Sequence, residues 1–311
     1  MKISVIMPAY NSGKWIYQVV RSILNQKFKE TLFDMELIIV DDCSTDGTYG
    51  YLKELQKEFP KEIILFKNEE NKGLAFGVNL GLEIATGEWI TIVDHDDLWD
   101  RDRIYAIWDQ IEKDFFPIIT AGHRVQTNKG ITPKVRKNKN GEIVYNTNKT
   151  FQNLLRREPQ SKLQYIKAFL FKRHLIPHAG KFKADDVDWK INLFYAQPSV
   201  EVCKTVFTRI ENGKNLGQNV KYREWFLKMS KFTYEKWKKA GWGEDALIGY
   251  SRNHISLGKY YYSIGNMEMA RIYFQKGIKM HKINKTLKNY LYYITTYIGG
   301  NIIRKYVKVH G

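Results

Sequence analysis

Four short apolar runs punctuate the first hundred residues: ISVIM (3–7), ELIIV (36–40), EIILF (62–66) and WITIV (89–93). Between them lie longer segments with apolar residues at helical spacing. Trp15, Val19 and Ile23, followed by Gln26, make one such face, and Leu74, Val78, Leu82 and Ala85 another. Continuous β-branched strands alternating with helices predict an α/β fold with a mainly parallel central sheet covered on both sides. Sheets of this kind bind ligands at the carboxyl ends of their strands.

The residues after each run sharpen that expectation. ISVIM is followed by Pro8-Ala9-Tyr10-Asn11, ELIIV by Asp41-Asp42, EIILF by Lys67-Asn68, and WITIV by Asp94-His95-Asp96-Asp97. Polar and acidic groups thus collect along one edge of the sheet, recurring at successive strand ends. Residues 97–113 read as a helix, with Ile104, Ile107, Trp108 and Ile111 on one face, Asp97 or Asp100 as its cap and Asp102 in its first turn. The stretch 126–149 is polar, basic and broken by Gly130, Pro133 and Gly141, which predicts an exposed hairpin or a mobile loop. From about residue 216 the chain turns helical and aromatic. The expected division is therefore 1–215 and 216–311, the second part an α-helical extension.

Composition adds three bounds. Two cysteines, Cys43 and Cys203, cannot make a disulfide framework and suggest a reducing, cytoplasmic compartment. The opening MKISVIMPAY breaks at Pro8, too early for a signal-peptide core, and no apolar run is long enough to cross a bilayer. The net charge of +17 is unevenly placed: residues 1–100 carry 10 Lys and Arg against 17 Asp and Glu, and residues 101–311 carry 40 against 16. A basic C-terminal two-thirds suits anionic lipid, an acidic glycan or nucleic acid; equally, it suits solvated lysine-rich faces with no partner.

The chain has no GxGxxG after its first strand and no GxxxxGK[ST], so bound phosphates would need another source of positive charge. Asp94 and Asp96, two apart at a strand end, can hold a divalent cation that bridges to a diphosphate, and hard carboxylate oxygens suit Mg²⁺ or Mn²⁺. The competing reading of the same acids is a turn with helix caps. His95 lies between the pair and is expected to face elsewhere.

Five motifs in order resemble family 2 glycosyltransferases of the GT-A fold. SVIMPAYNSGKWIYQVVRSILNQ resembles that family's first strand and helix, and IIVDDCSTDGT its second strand and turn. NKGLAFGVNLGLEIATGEWITIVDHDDLWD is similar to its third helix, fourth strand and D-x-D, FKADDVDWKINL to the acidic motif near the acceptor, and VFTRIENGKN to an Arg-containing closing segment. The resemblance spans roughly 2–215. It implies a GT-A, Rossmann-like catalytic domain and an inverting, Mn²⁺- or Mg²⁺-dependent transfer from a nucleotide-sugar donor, with UDP the expected carrier. The implied acceptor is a glycan or lipid-linked glycan in polysaccharide and cell-surface glycan biosynthesis.

Residue by residue, the resemblance puts Pro8, Ala9 and Tyr10 at the nucleotide pocket, and Asp41 and Asp42 at the nucleobase, with Asp42 favoured. Asp94 and Asp96 become the D-x-D pair, Asp96 the direct metal ligand. Asp186 becomes the general base, with Asp185 where the family usually has Glu. The crowding of Asp185, Asp186 and Asp188 suits a base of raised pKa, with Asp188 starting a helix. Cys43 replaces the glycine usual in the VDDGS turn, which means strain if that residue has positive φ. Val78 stands where an arginine is common, so Lys72, Arg209 and Lys214 are the candidates for diphosphate charge, against a solvated basic loop. His174 and His178 flank RHLIPHAGKF and read as structural or acceptor-binding.

In the C-terminal part, GKYYYSIGNMEMARIYFQKG has the spacing of one tetratricopeptide unit, which cannot stack alone, so a helical hairpin packing on the catalytic domain is expected. NYLYYITTYIGGNIIRKYVKVHG is apolar and tyrosine-rich with flanking cations. It suits either a peripheral position on the inner, anionic face of the cell membrane or a buried helix closing the domain. Two other functional classes stay open: a non-catalytic nucleotide-sugar-binding or scaffold protein, and a nucleic-acid-binding protein. Dispersed basic residues without a recognition motif speak against the latter, and no nucleic-acid partner is expected.

Overall fold

The structure, a computed structural model, describes residues 1–27, 31–135, 144–146, 149–158, 162–173, 176, 186–211 and 219–298. Its first half follows the alternation in the sequence: β1 (Lys2–Ala9), α1 (Ile16–Leu24), β2 (Asp34–Asp41), α2 (Thr48–Glu58), β3 (Ile63–Lys67), α3 (Leu74–Ile84) and β4 (Trp89–Ile92). The strands β3, β2, β1 and β4 lie side by side in that order, all parallel.

Side-chain alternation along β1 and β2 explains why helices cover both faces. Ile3, Val5, Met7, Met35, Leu37 and Ile39 share a core with Ile16, Val19 and Ile23 of α1 and Leu52 and Leu55 of α2. The intervening positions face α3, whose glycines let it lie close. A Cβ at Gly81 would fall 2.4 Å from Ile6 Cγ2, and one at Gly77 3.2 Å from Pro8 Cβ.

Beyond β4 the chain departs from the predicted helix over 97–113. Asp97–Trp99 is a short strand, β5, then a 3-10 turn at Tyr105–Ile107 and only six residues of helix, α4 (Trp108–Lys113). The helical face itself is real, since Ile104, Ile107 and Ile111 are buried. What overrides the helical start is a partner strand that takes up the backbone bonds of residues 97–99 and the amide of Asp100.

That partner is β10 (Ser199–Ile210). It runs parallel to β6 (Ile118–Thr127), which hydrogen-bonds in turn to β9 (Lys162–Lys167), and β9 returns the sheet to β4. The path is β3-β2-β1-β4-β9-β6-β10-β5, with β7 (Gly130–Lys134) on β6 and β8 (Val144–Asn146) on β10. The sheet is thus parallel in its first half and mixed beyond. The hairpin expected in 126–149 is present as β6–β7, and β7 is exposed throughout.

The chain divides into two compact units. One comprises 1–150, 160–180 and 185–214; the other takes 151–159, 181–184 and 215–311. The boundary is not one cut near residue 215, because most of α5 (Lys149–Arg156) groups with the C-terminal helices. There Phe151 packs edge-on against Trp237 and Trp242, and Arg156 pairs with Asp245. Those helices are α8 (Val220–Lys239), α9 (Gly243–Ser263), α10 (Met267–Met280) and α11 (Leu287–Ile298). The tetratricopeptide-like stretch is the α9–α10 hairpin: it turns at Gly265 (φ +85°), and Gly258 admits the Phe274 ring.

Replacing Gly81 by Ala is expected to destabilise the first unit by about 1–3 kcal/mol, because the new methyl overlaps Ile6. Denaturant unfolding followed by far-UV signal reads this directly; an unchanged midpoint would show that α3 shifts freely.

Candidate active site

At the carboxyl ends of β1 and β2, two loops are laced by side-chain bonds to backbone. Asn11 takes a left-handed φ of +51°; its Oδ1 accepts from Thr45 N (2.9 Å) and its N–H donates to Ser44 Oγ (3.0 Å). The amides of Ser12 and Gly13 both donate to Thr48 Oγ1, at 2.8 and 2.9 Å. Cys43 has φ +63°, so this position does demand the conformation a glycine takes freely.

The two strand-end aspartates differ. Asp41 is fully buried; its Oδ2 accepts from Ser44 N (3.2 Å), while Oδ1 has no partner. Asp42 accepts three bonds at 2.8 Å, from Asn68 Nδ2, Lys72 N and Gly73 N. Its carboxylate therefore fixes the turn at 68–73, leaving little spare acceptor capacity for a base. Pro8 and Ala9 are buried in β1, and Tyr10 just beyond is 44% exposed. The Lys72 ammonium lies 4.6 Å from the Phe76 ring centre.

At the end of β4, carboxylate oxygens of Asp94, Asp96 and Asp97 all lie within 4.8 Å of one another, with Asp94 exposed, Asp96 half-buried and Asp97 buried. Asp97 is no helix cap: it sits in β5 opposite Arg209 of β10, and its Oδ1 is buried without a hydrogen-bond partner among the described residues. Asp100 does not cap either; it pairs with Arg124, and its amide donates to the Val206 carbonyl. His95 Nδ1 lies 2.8 Å from Ser12 Oγ and so ties this loop to the first.

Charge balance around the trio involves groups on separate elements. Crowding by protein disfavours the Asp94 anion, yet Lys162, Lys190, His95 and Arg209 outweigh it and hold this carboxyl below its usual range. Burial and the Asp94 charge push Asp96 up, against His95 and Arg209. Burial, then Asp94 and Asp96, raise Asp97 to about 7, against Lys162 and Arg209. A buried carboxylate oxygen without a donor, beside two further carboxylates, is a donor set that fits a hard divalent cation.

The acidic motif near residue 186 is only partly in view. Asp186 is the first residue of α7 (Asp186–Phe194); Asp185, Lys214, His174 and His178 lie outside the described residues. Lys190 of α7, one turn after Asp186, is among the residues whose charge acts on Asp94. Asp188 is buried and its Oδ2 accepts from Asn192 Nδ2 at 3.2 Å, as a helix-stabilising residue does. Asn79 of α3 clamps Ile176 at both backbone groups, donating to its carbonyl (2.6 Å) and accepting from its amide (2.9 Å).

Sequence reasoning missed four contributors: Asp97, Lys162, Lys190 and His123. Asp97-Leu98-Trp99 carried a signal, since strand alternation was there to be read in place of a cap. Lys162 and His123 stood in no motif, and Lys190 stood in the acidic motif without being singled out. His123 is buried against Phe207 (centroids 5.4 Å), its Nδ1 without a partner; burial, with Lys162, Arg209 and Lys134 nearby, lowers it to about 4.

The sequence pattern of glycosyl transferase family 2 matches residues 4–178, more than half of the chain, and the protein belongs to that family. Among characterised sequences it resembles the putative teichuronic acid biosynthesis glycosyltransferase TuaG of Bacillus subtilis, 40% identical over 102 residues, 33% of this chain and 38% of TuaG. It also resembles the Escherichia coli UDP-Glc:alpha-D-GlcNAc-diphosphoundecaprenol beta-1,3-glucosyltransferase WfaP, 38% identical over 33% of this chain and 39% of WfaP. The matches thus span well under half the length of these relatives. The fold is GT-A, similar to S. aureus TarS 1–349 in complex with UDP (TM-score 0.61, 17% identity, 100% of this chain and 92% of that one). It is similar too to the Pyrobaculum calidifontis mannosyltransferase PcManGT in complex with GDP-Man and Mn²⁺ (TM-score 0.56, 16% identity, 98% and 87%).

A raised Asp97 pKa has a sign that can be measured. The native state holds a proton that the unfolded chain has released, so stability from this group is complete below about pH 4 and is lost as pH rises through about 7. In chelator-treated protein, Asp97→Asn is therefore expected to stabilise at pH 8, by up to about 4 kcal/mol, and to make no difference near pH 4. Equal wild-type and variant melting temperatures at both pH values would show that Asp97 ionises normally.

Proposed function

We propose that this chain is an inverting glycosyltransferase that moves a sugar from a nucleoside diphosphate, UDP first among the carriers, to a hydroxyl of a glycan or lipid-linked glycan. The observation that carries the reading is the acidic trio at the end of β4, with Lys162, Lys190 and Arg209 acting on it. Donor complexes of UDP with TarS and of GDP-Man and Mn²⁺ with PcManGT, on the same fold, support a nucleotide sugar and a divalent metal here. WfaP, named for a diphosphoundecaprenol acceptor, supports lipid-linked acceptors and a place at the inner membrane face. No described helix is long and apolar enough to cross a membrane.

In this reading Pro8, Ala9, Tyr10 and Asp41 receive the nucleoside, while Asp42, its carboxylate taken up by Asn68, Lys72 and Gly73, joins Asn11 and Thr48 in fixing the loops that hold that surface in shape. Asp96 and Asp94, with Asp97, would hold Mn²⁺ or Mg²⁺, which would supply Lewis-acid stabilisation to the departing diphosphate. Arg209 and Lys72 add positive charge to the donor side.

Asp186, assisted by Asp185, takes the proton from the acceptor hydroxyl. That oxygen attacks the anomeric carbon from the face opposite the diphosphate. The new C–O bond forms as the sugar–phosphate bond breaks, and the nucleoside diphosphate leaves with the electron pair. Inversion follows from this single displacement.

Thermal denaturation with a panel of nucleotide sugars, with and without Mn²⁺, tests the donor half. A UDP-sugar at about 100 times its Kd is expected to stabilise by roughly 2.7 kcal/mol, and only with metal present. Flat melting temperatures across the panel would overturn the reading. Asp186→Asn tests the base: turnover is expected to fall about 10²–10⁴-fold while donor-induced stabilisation persists. Donor stabilisation with no transfer by wild type to any glycan acceptor would favour a non-catalytic nucleotide-sugar-binding protein.

A further inference from the structure

The last described helix, α11, turns most of its apolar residues outward. Its buried positions include Asn289, Thr295 and Thr296, whereas Leu287, Tyr290, Leu291, Ile294 and Tyr297 are 76, 38, 51, 50 and 59% exposed. Their spacing of three, one, three and three puts all five in one stripe along the helix. Single exposed leucines are ordinary on a protein surface; a contiguous stripe is not.

Hydrogen bonds fix this rotation. Asn289 Nδ2 donates to the Asn284 carbonyl (3.0 Å), Thr295 Oγ1 to Tyr262 Oη (3.1 Å), and Arg271 Nη2 to the Thr296 carbonyl (2.9 Å). Rolling the leucines inward would break all three and bury polar groups unpaired. The apolar stripe is the face this helix is built to show.

The sequence around this helix is rich in positive charge, and the acid that meets the turn before it, Glu244, lies 3.2 Å from His281 Nε2. Residues 269–311 contain nine lysines and arginines and no Asp or Glu. Lys282, Lys285 and Lys288 are exposed at the start of α11, and Arg271 stacks over the Tyr297 ring at 3.9 Å. A second copy of the chain seated on this face would set these cations against their own kind. An anionic lipid surface complements them, accepts the leucines and isoleucine below the headgroups, and suits tyrosines at headgroup level. Twelve residues reach about 18 Å, short of the roughly 30 Å of a bilayer core, so the helix lies flat.

We propose that the Leu287–Tyr297 face of α11 is a membrane-docking surface for anionic lipid. It deepens the reading of an acceptor presented at a membrane, and its test is independent of transfer.

The full chain is floated with vesicles of phosphatidylcholine alone and of an equal mixture with phosphatidylglycerol. Binding is expected to the mixed vesicles and to weaken with salt. Leu287→Ser with Leu291→Ser, both at exposed positions, should reduce it about tenfold or more, with an unchanged melting temperature. Lys285→Gln with Lys288→Gln should reduce it about fivefold per cation on mixed vesicles alone. No flotation of wild type, or equal flotation of the leucine variant, overturns the proposal. So does a leucine variant that converts a dimer to a monomer by light scattering, which assigns the face to a second copy. Donor-induced thermal stabilisation, read on the same samples, reports the nucleotide site separately, so failure at one site is not mistaken for failure at the other.

Discussion

Three carboxylates within 4.8 Å of one another cannot all remain ionised in a partly dry site unless positive charge is close by. The second half of the sheet supplies that charge. Lys162 stands on β9, Arg209 on β10 opposite Asp97, and Lys190 on α7. These cations depend on the acids in turn: burial lowers the Lys162 pKa, and Asp94 and Asp97 work to keep its ammonium charged. The parallel half-sheet of β3, β2, β1 and β4 alone would leave the acids unbalanced, so the strands added after residue 100 are a condition for the acidic edge to exist. Even then Asp97 keeps a buried oxygen without a donor, which is the residual demand a divalent cation would meet.

The loops above the strands meet a different constraint, that of presenting backbone at a fixed shape without regular structure. Left-handed residues at Asn11 and Cys43 each cost of order 1 kcal/mol, and they persist because side chains hold them from both sides. Thr48 accepts two amides from the first loop and donates to Asp46 (2.5 Å), whose carboxyl stays ionised at lower pH than usual: burial opposes this, but the Thr48 hydroxyl and the amides of Thr48 and Gly13 outweigh it. Ser12 and His95 extend the lacing to the acidic loop. Strain of this kind is tolerable only where several bonds over-determine the conformation.

Much of this was legible in the sequence. Four strands appear within two or three residues of their predicted ends, because period and β-branching are local properties. The convergence of Asp41, Asp42, Asp94 and Asp96 on one sheet edge followed from parallel topology alone. Asp97-Leu98-Trp99 was misread because a carboxylate before an apolar-periodic stretch is a sound capping signal; only a partner strand more than a hundred residues away reverses it. Lys162 and His123 carried no local signal at all, and Lys190, though inside the acidic motif, had nothing to mark it as a counter-charge, since its relation to the acids is tertiary. Asp42 shows a subtler limit: motif resemblance marks the residue, but not that three donors from its own fold already occupy its carboxylate.

The same limit governs α11 in reverse. Periodicity shows that this helix has an apolar stripe and a polar one, and habit turns the apolar stripe inward. Which stripe faces the protein is decided by what the neighbouring helices offer, and here they offer the Tyr262 hydroxyl, the Asn284 carbonyl and the Arg271 guanidinium. The polar groups on the inner face are matched by these partners, and Tyr292 adds ring contacts with Phe274 and Tyr262. The leucines and isoleucine of the outer stripe take no part in holding the helix in place. Its exposed apolar side is left over from folding, and a surplus in a stretch of chain rich in cations is what an anionic, apolar-cored surface would take up.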